Sequence, residues 1–160
     1  MRLYQMLLVA AAAILFQATI ASAQSTVYVI LDEVANTECQ VNINGKEGFT
    51  MQGNTKKTYK AISPYTMHDT VVNHPCVTKC TMNEEGKSIF AIDMKFRNAV
   101  NGDIYPYAAE KQLNLVDGAT YYLKISPKIS NDFAIEEISQ KEAEKIFKKK
   151  GVKFLAEYTE

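Results

Sequence analysis

Both histidines of the chain and two of its three cysteines crowd into one short stretch: His68, Asp69, His74, Cys76 and Cys80. Imidazole nitrogen and thiolate sulfur are good donors to zinc or copper, and four of them can close a tetrahedral site. The ligand set would be His68, His74, Cys76 and Cys80. Its spacing, His-x5-His-x-Cys-x3-Cys, fits no zinc-finger pattern. Thiols outside the cytoplasm also tend to oxidise before they meet metal. Metal binding is therefore the alternative reading of this stretch, and a structural role leads it.

A second chemistry open to these residues is a disulfide. Cys39, Cys76 and Cys80 are an odd set, so at least one thiol stays unpaired within the chain. If residues 76–80 were extended, the two Cα atoms would stand about 13 Å apart. A disulfide needs about 4.4–6.8 Å. A Cys76–Cys80 bridge thus requires a turn through Val77, Thr78 and Lys79, and a bridge from Cys39 to either is the competing pairing. The expectation is one bridge and one buried free thiol.

Catalysis has little to stand on. The chain has no Gly-x-Ser-x-Gly elbow, and His74 and Cys76 lie too close in sequence to suggest a base and nucleophile from separate segments. Adjacent carboxylates at Asp32-Glu33, Glu84-Glu85 and Glu136-Glu137 alternate faces if extended, so none makes an acid/base pair. Tyr105 and Tyr107 flank Pro106 beside a turn, where their rings and hydroxyls could meet a sugar or peptide. No residue points to a resident cofactor.

These residues must be held by something, and the first segment says where. Arg2 precedes an apolar run over 7–16, and Ala21-Ser22-Ala23 offers the small residues of a cleavage site. Residues 1–23 read as a secretory signal peptide, with the mature chain beginning near Gln24. The run is too short for a membrane anchor, and no later one is long enough to span a bilayer. The mature chain should be secreted or periplasmic. Its formal charge near −1 gives no reason to expect nucleic acid.

Residues 24–160 suit one domain, and it reads as mainly β. The run 26–31 is a buried strand. Cys39, Val41 and Ile43 alternate with polar residues into Asn44-Gly45, a hairpin signal. A short strand is expected over 58–62, and an irregular stretch over 65–81. Phe90, Ile92, Met94 and Phe96 mark the clearest period-2 strand. Residues 98–106 read as a loop, 113–116 and 120–125 as a second tight hairpin around Asp117-Gly118, and Phe133 and Ile135 as a last strand. Ser139 with Glu142 forms a capping box for one helix near 140–150, closed by Gly151. The sum is an antiparallel β-sandwich, prealbumin-like or immunoglobulin-like, with one C-terminal helix.

The segment 113–125, Leu-Asn-Leu-Val-Asp-Gly-Ala-Thr-Tyr-Tyr-Leu-Lys-Ile, resembles the closing hairpin of small uncharacterised β-sandwich domains of bacterial exported proteins and lipoproteins. The likeness extends over 113–150, through the Glu- and Ile-rich strand and the helix of Glu, Lys and Ala. In those domains a Pro-Gly-x-His motif enters an earlier strand; here Pro64 and His68 stand in that region, with Tyr65 in place of the glycine. The resemblance implies a fold and an envelope location, and carries no reaction. The leading expectation is a non-catalytic exported module that binds a protein, peptide or glycan at the cell envelope. A zinc or copper protein is the alternative, and an exported hydrolase the third.

Overall fold

The structure, a computed structural model, describes residues 24–60, 69–98, 101–128 and 133–160. The expected signal peptide and His68 lie outside them. The chain is mainly β, and its strands form a sandwich.

Five strands run in the order β10 (Phe133–Glu137), β9 (Thr120–Pro127), β1 (Ser25–Leu31), β6 (Cys76–Met82) and β11 (Lys153–Phe154), and β12 (Tyr158–Thr159) also pairs with β6. Facing them is a four-stranded sheet, β3 (Lys46–Met51), β2 (Thr37–Ile43), β7 (Gly86–Arg97) and β8 (Ile104–Leu115). A two-stranded ribbon, β4 (Thr55–Tyr59) with β5 (Thr70–Asn73), completes the β structure. In the immunoglobulin order the first two strands share a sheet. Here β1 and β2 lie in opposite sheets, which departs from that order. The six-stranded sheet is mixed, because β1 runs parallel to β9.

Alternation builds the core. Val27, Val29 and Leu31 of β1 meet Cys39, Val41 and Ile43 of β2, Phe90, Ile92 and Met94 of β7, and Leu123 and Ile125 of β9, all buried between the sheets. From Val29 to Leu31 the first strand is apolar on both faces, because its other face is covered as well. Ile30 and Val77 lie under Ala143 and Ile146 of the helix α1 (Gln140–Phe147), with Tyr28, Tyr122 and Phe147 around them. Ser139 caps that helix, its Oγ accepting the Glu142 N–H at 3.3 Å. Asn44 and Gly45 take φ of 51° and 76°, the conformation of a two-residue hairpin turn, and join β2 to β3 as expected.

Three expectations need correction. The stretch read as irregular over 65–81 contains β5 and the central strand β6. Cys76, Thr78, Cys80 and Met82 form its inward face, and the intervening Thr and Lys hide the pattern from a hydrophobicity reading. The segments 113–116 and 120–125 are not a hairpin: β8 and β9 belong to opposite sheets, and Asp117-Gly118 carries the chain across the sandwich. Tyr121 secures that crossing, its hydroxyl donating to the Asn114 carbonyl at 2.8 Å and accepting the Val116 N–H at 3.0 Å. Lastly, the loop expected over 98–106 ends early, since β8 starts at Ile104 and runs through Pro106. The proline is tolerated because β8 pairs only with β7, and an edge strand has one side free of ladder bonds.

Candidate functional site

The cysteines lie inside the sandwich. Cys76 and Cys80 sit four residues apart on one extended strand, so no turn brings them together and the Cys76–Cys80 bridge is excluded by its own geometry. Cys39 projects from β2 in the facing sheet. All three are buried free thiols, in place of the expected single bridge. Burial pushes each of them up to about 12; at Cys39 the nearby Cys76 and Asp93 add to it, and at Cys76 the charge of Lys153 opposes it. Thiols held this firmly neutral are poor metal ligands and poor nucleophiles.

His74 has a packing role. Its carbonyl lies against Gly53 so closely that any side chain there would collide with it. Its imidazole covers Gly151, where an added Cβ would meet the ring at 2.5 Å. The histidine is thus wedged between the turn before the ribbon and the turn after the helix. Among the described residues, no group of three or more His, Cys, Asp or Glu side chains gathers where it could hold a metal ion. The set His74, Cys76 and Cys80 therefore does not converge on a point.

A concave site does exist, at the end of the sandwich where β1 and β9 finish. Because these two strands are parallel, their C-terminal ends fall on the same side. The chain leaving β1 supplies Glu33, Val34 and Ala35, β9 ends in Pro127 and Lys128, and β10 begins at Phe133. Val72 of the ribbon and Phe96 of β7 close the remaining walls of a cleft of about 300 Å³. Six of these eight residues are apolar. The two charged residues are Glu33 and Lys128, and Glu33 is engaged by Lys56 at 2.7 Å. This is the ordinary composition of a small ligand pocket: apolar walls with few polar groups.

Asn36 fixes the wall of that cleft. It adopts φ +49° and joins three segments. Its Oδ1 accepts the Val71 N–H at 2.7 Å, while its own N–H donates to the Val71 carbonyl at 2.9 Å. Its Nδ2 donates to the Arg97 carbonyl at 3.2 Å, and its carbonyl accepts the Arg97 N–H at 3.0 Å. Asparagine is among the few residues that enter the left-handed region at modest cost. Outside the cleft lining, Asp32 is held below the usual carboxylate range: burial opposes its ionisation, but the Glu33 N–H, Lys149 and Lys124 outweigh it.

No family model, curated protein or solved structure matches the chain.

The tyrosines flank the cleft without lining it. Tyr107 is half-buried and meets Phe133 edge-on, ring centroids 5.5 Å apart. Tyr105 pairs in register with Phe96 and is 40 % exposed, with Asn101 Nδ2 donating to its hydroxyl at 3.3 Å. In the sequence Phe96 and Phe133 mark only strands, and Val34, Ala35, Val72 and Pro127 mark nothing. No signal marks them as a site, because each is a common apolar residue in a strand or the segment beside one, and only the topology gathers them.

Proposed function

We propose that the mature chain is a non-catalytic binding module of the cell envelope, and that the cleft between β1, β9 and the ribbon seats an apolar side chain of a protein or peptide partner. The observation that carries this reading is a preformed apolar hollow at a sheet end. Its wall is clamped by the hydrogen bonds of Asn36, so it need not be ordered on binding. A volume of about 300 Å³ accepts one large side chain and not an extended glycan. Export is part of the same reading, resting on the small residues at 21–23 and the likeness of 113–150 to envelope domains. Among the described residues no helix is long and apolar enough to cross a membrane.

The test is a titration with indole, monitored by 15N–1H NMR. The expected outcome is saturable shifts at Val34, Ala35 and Val72, abolished by Ala35→Phe, which fills the hollow from its wall. Protein captured from envelope extract by the wild type should be lost with the same substitution. Indole shifts spread evenly over the molecule, or untouched by Ala35→Phe, would refute the cleft as the site.

A further inference from the structure

Beyond the wall made by Ala35 and Asn36 lies a second hollow of about 430 Å³, and its chemistry is the reverse of the first. It opens on the outer face of the four-stranded sheet, beside the β4–β5 ribbon. Met94 is buried in the sandwich and Phe96 lines the apolar cleft, so strand alternation turns Lys95 and Arg97 outward into this hollow. In register, Lys95 stands opposite Glu38 and Arg97 opposite Ile104. Asn36, Asn73 and Asp69 contribute from the other side, and the Asp69 carboxylate takes the Lys60 ammonium at 2.6 Å.

Lys95 and Arg97 share one face of one strand, about 7 Å apart along it. Among the described residues neither cation lies within 4.0 Å of a carboxylate. Glu38 and Asp69 also line the hollow, but with Lys60 engaging Asp69 the cations Lys95, Arg97 and Lys60 outnumber the two carboxylates, and an anion placed between Lys95 and Arg97 offsets that excess. The main chain of Arg97 is already fixed, bonded through both its N–H and its carbonyl to Asn36. That fixes the root of the arginine while its guanidinium stays available, and the planar fork of N–H donors suits an oxyanion bidentately.

We propose that this hollow is an oxyanion-binding site, in which Arg97 and Lys95 take the carboxylate or phosphate of a small ligand. Glu38 stands across from Lys95 and disfavours dianions, which makes a singly charged carboxylate the better occupant. The neutral donors and acceptors of Asn36, Asn73 and Gln52 meet the uncharged part of the ligand. The site is separate from the apolar cleft, and either can fail without the other.

The experiment is an NMR titration of the mature protein at constant ionic strength with D-glucuronate, inorganic phosphate and D-glucose. Glucuronate or phosphate should give saturable shifts at Lys95, Arg97 and Val71, and glucose should not. Saturation by one anion alone identifies the group as carboxylate or phosphate. Arg97→Gln should weaken binding at least about tenfold, the loss of charged hydrogen bonds of roughly 1.5 kcal/mol or more. Its spectrum should keep wild-type dispersion, because Asn36 holds only the main chain there. Lys95→Gln should weaken binding by a smaller factor, and Glu38→Gln should tighten it. The proposal is overturned if neither anion saturates, if glucose shifts the same residues equally, or if both Arg97→Gln and Lys95→Gln bind as the wild type does.

Discussion

Raising the pH should unfold this protein through its three cysteines. Cys39, Cys76 and Cys80 are buried in the core, and each is held neutral up to about 12 against an ordinary value of 9.0. Between those values the unfolded chain has released three protons that the folded chain retains. Stability is therefore fully present below pH 9 and falls as pH rises toward 12. Each thiol contributes a slope of about 1.4 kcal/mol per pH unit once the pH is well above 9, and the three together about 4. Set against a typical domain stability of about 5–15 kcal/mol, that is enough to unfold the protein within a few pH units. The assay is urea denaturation of reduced protein, with a phosphine reductant, at half-unit steps from pH 8 to pH 11. Lysines and tyrosines titrate in the same window, so the decisive comparison is with Cys80→Val, which keeps the site apolar and should lose about a third of the cysteine slope. Native thiol labelling at pH 8 should be slower than in urea by about three orders of magnitude, the ratio of thiolate fractions. A urea midpoint that stays flat from pH 8.5 to pH 10.5 would refute the reasoning, as would a Cys80→Val protein with the full wild-type slope.

Other consequences follow from single side chains. Ser139→Ala removes the acceptor of the Glu142 N–H and should cost about 0.5–2 kcal/mol in urea denaturation, with no change in the sheet signal of circular dichroism. Thr78 is 1 % exposed, and its hydroxyl has no hydrogen-bond partner among the described residues. Thr78→Val removes that desolvated polar group at nearly constant shape and should raise stability by about 1–3 kcal/mol; a loss of stability would show that the hydroxyl is satisfied in solution.

The parts of the fold legible in the sequence are those where one local pattern decides. Asn44-Gly45 admits the positive φ of a tight hairpin, and the strand around Phe90, Ile92 and Met94 has one dry face and one wet one. Ser139 and Glu142 mark a helix start whatever surrounds them. The central strand β6 escaped because its inward face is Cys76, Thr78, Cys80 and Met82, half of it cysteine. Cysteine invites a reading as chemistry where it here acts as a small apolar residue. The supposed hairpin at Asp117-Gly118 failed for a different reason. A turn signal says that the chain reverses, but not whether the next strand pairs with the last or crosses to the opposite sheet. That choice was settled by β1, whose open flank pairs with β9 in parallel.

The same distinction separates the residues that stand out in the sequence from those that line the concave surfaces. The sequence drew attention to rare residues, the histidines and cysteines, and the fold uses those it positions as filling: His74 between two glycines, the thiols between two sheets. The concave surfaces are built from residues that no composition argument would choose. They exist because the parallel pairing of β1 and β9 brings two strand ends to one side, and because one asparagine in a left-handed conformation ties the ribbon to the end of β7. Alternation along β7 then gives the two hollows opposite character, Phe96 facing the apolar one and Arg97 the polar one. A single strand end thus supplies a wall to each, and Asn36 is the residue whose loss would disturb both.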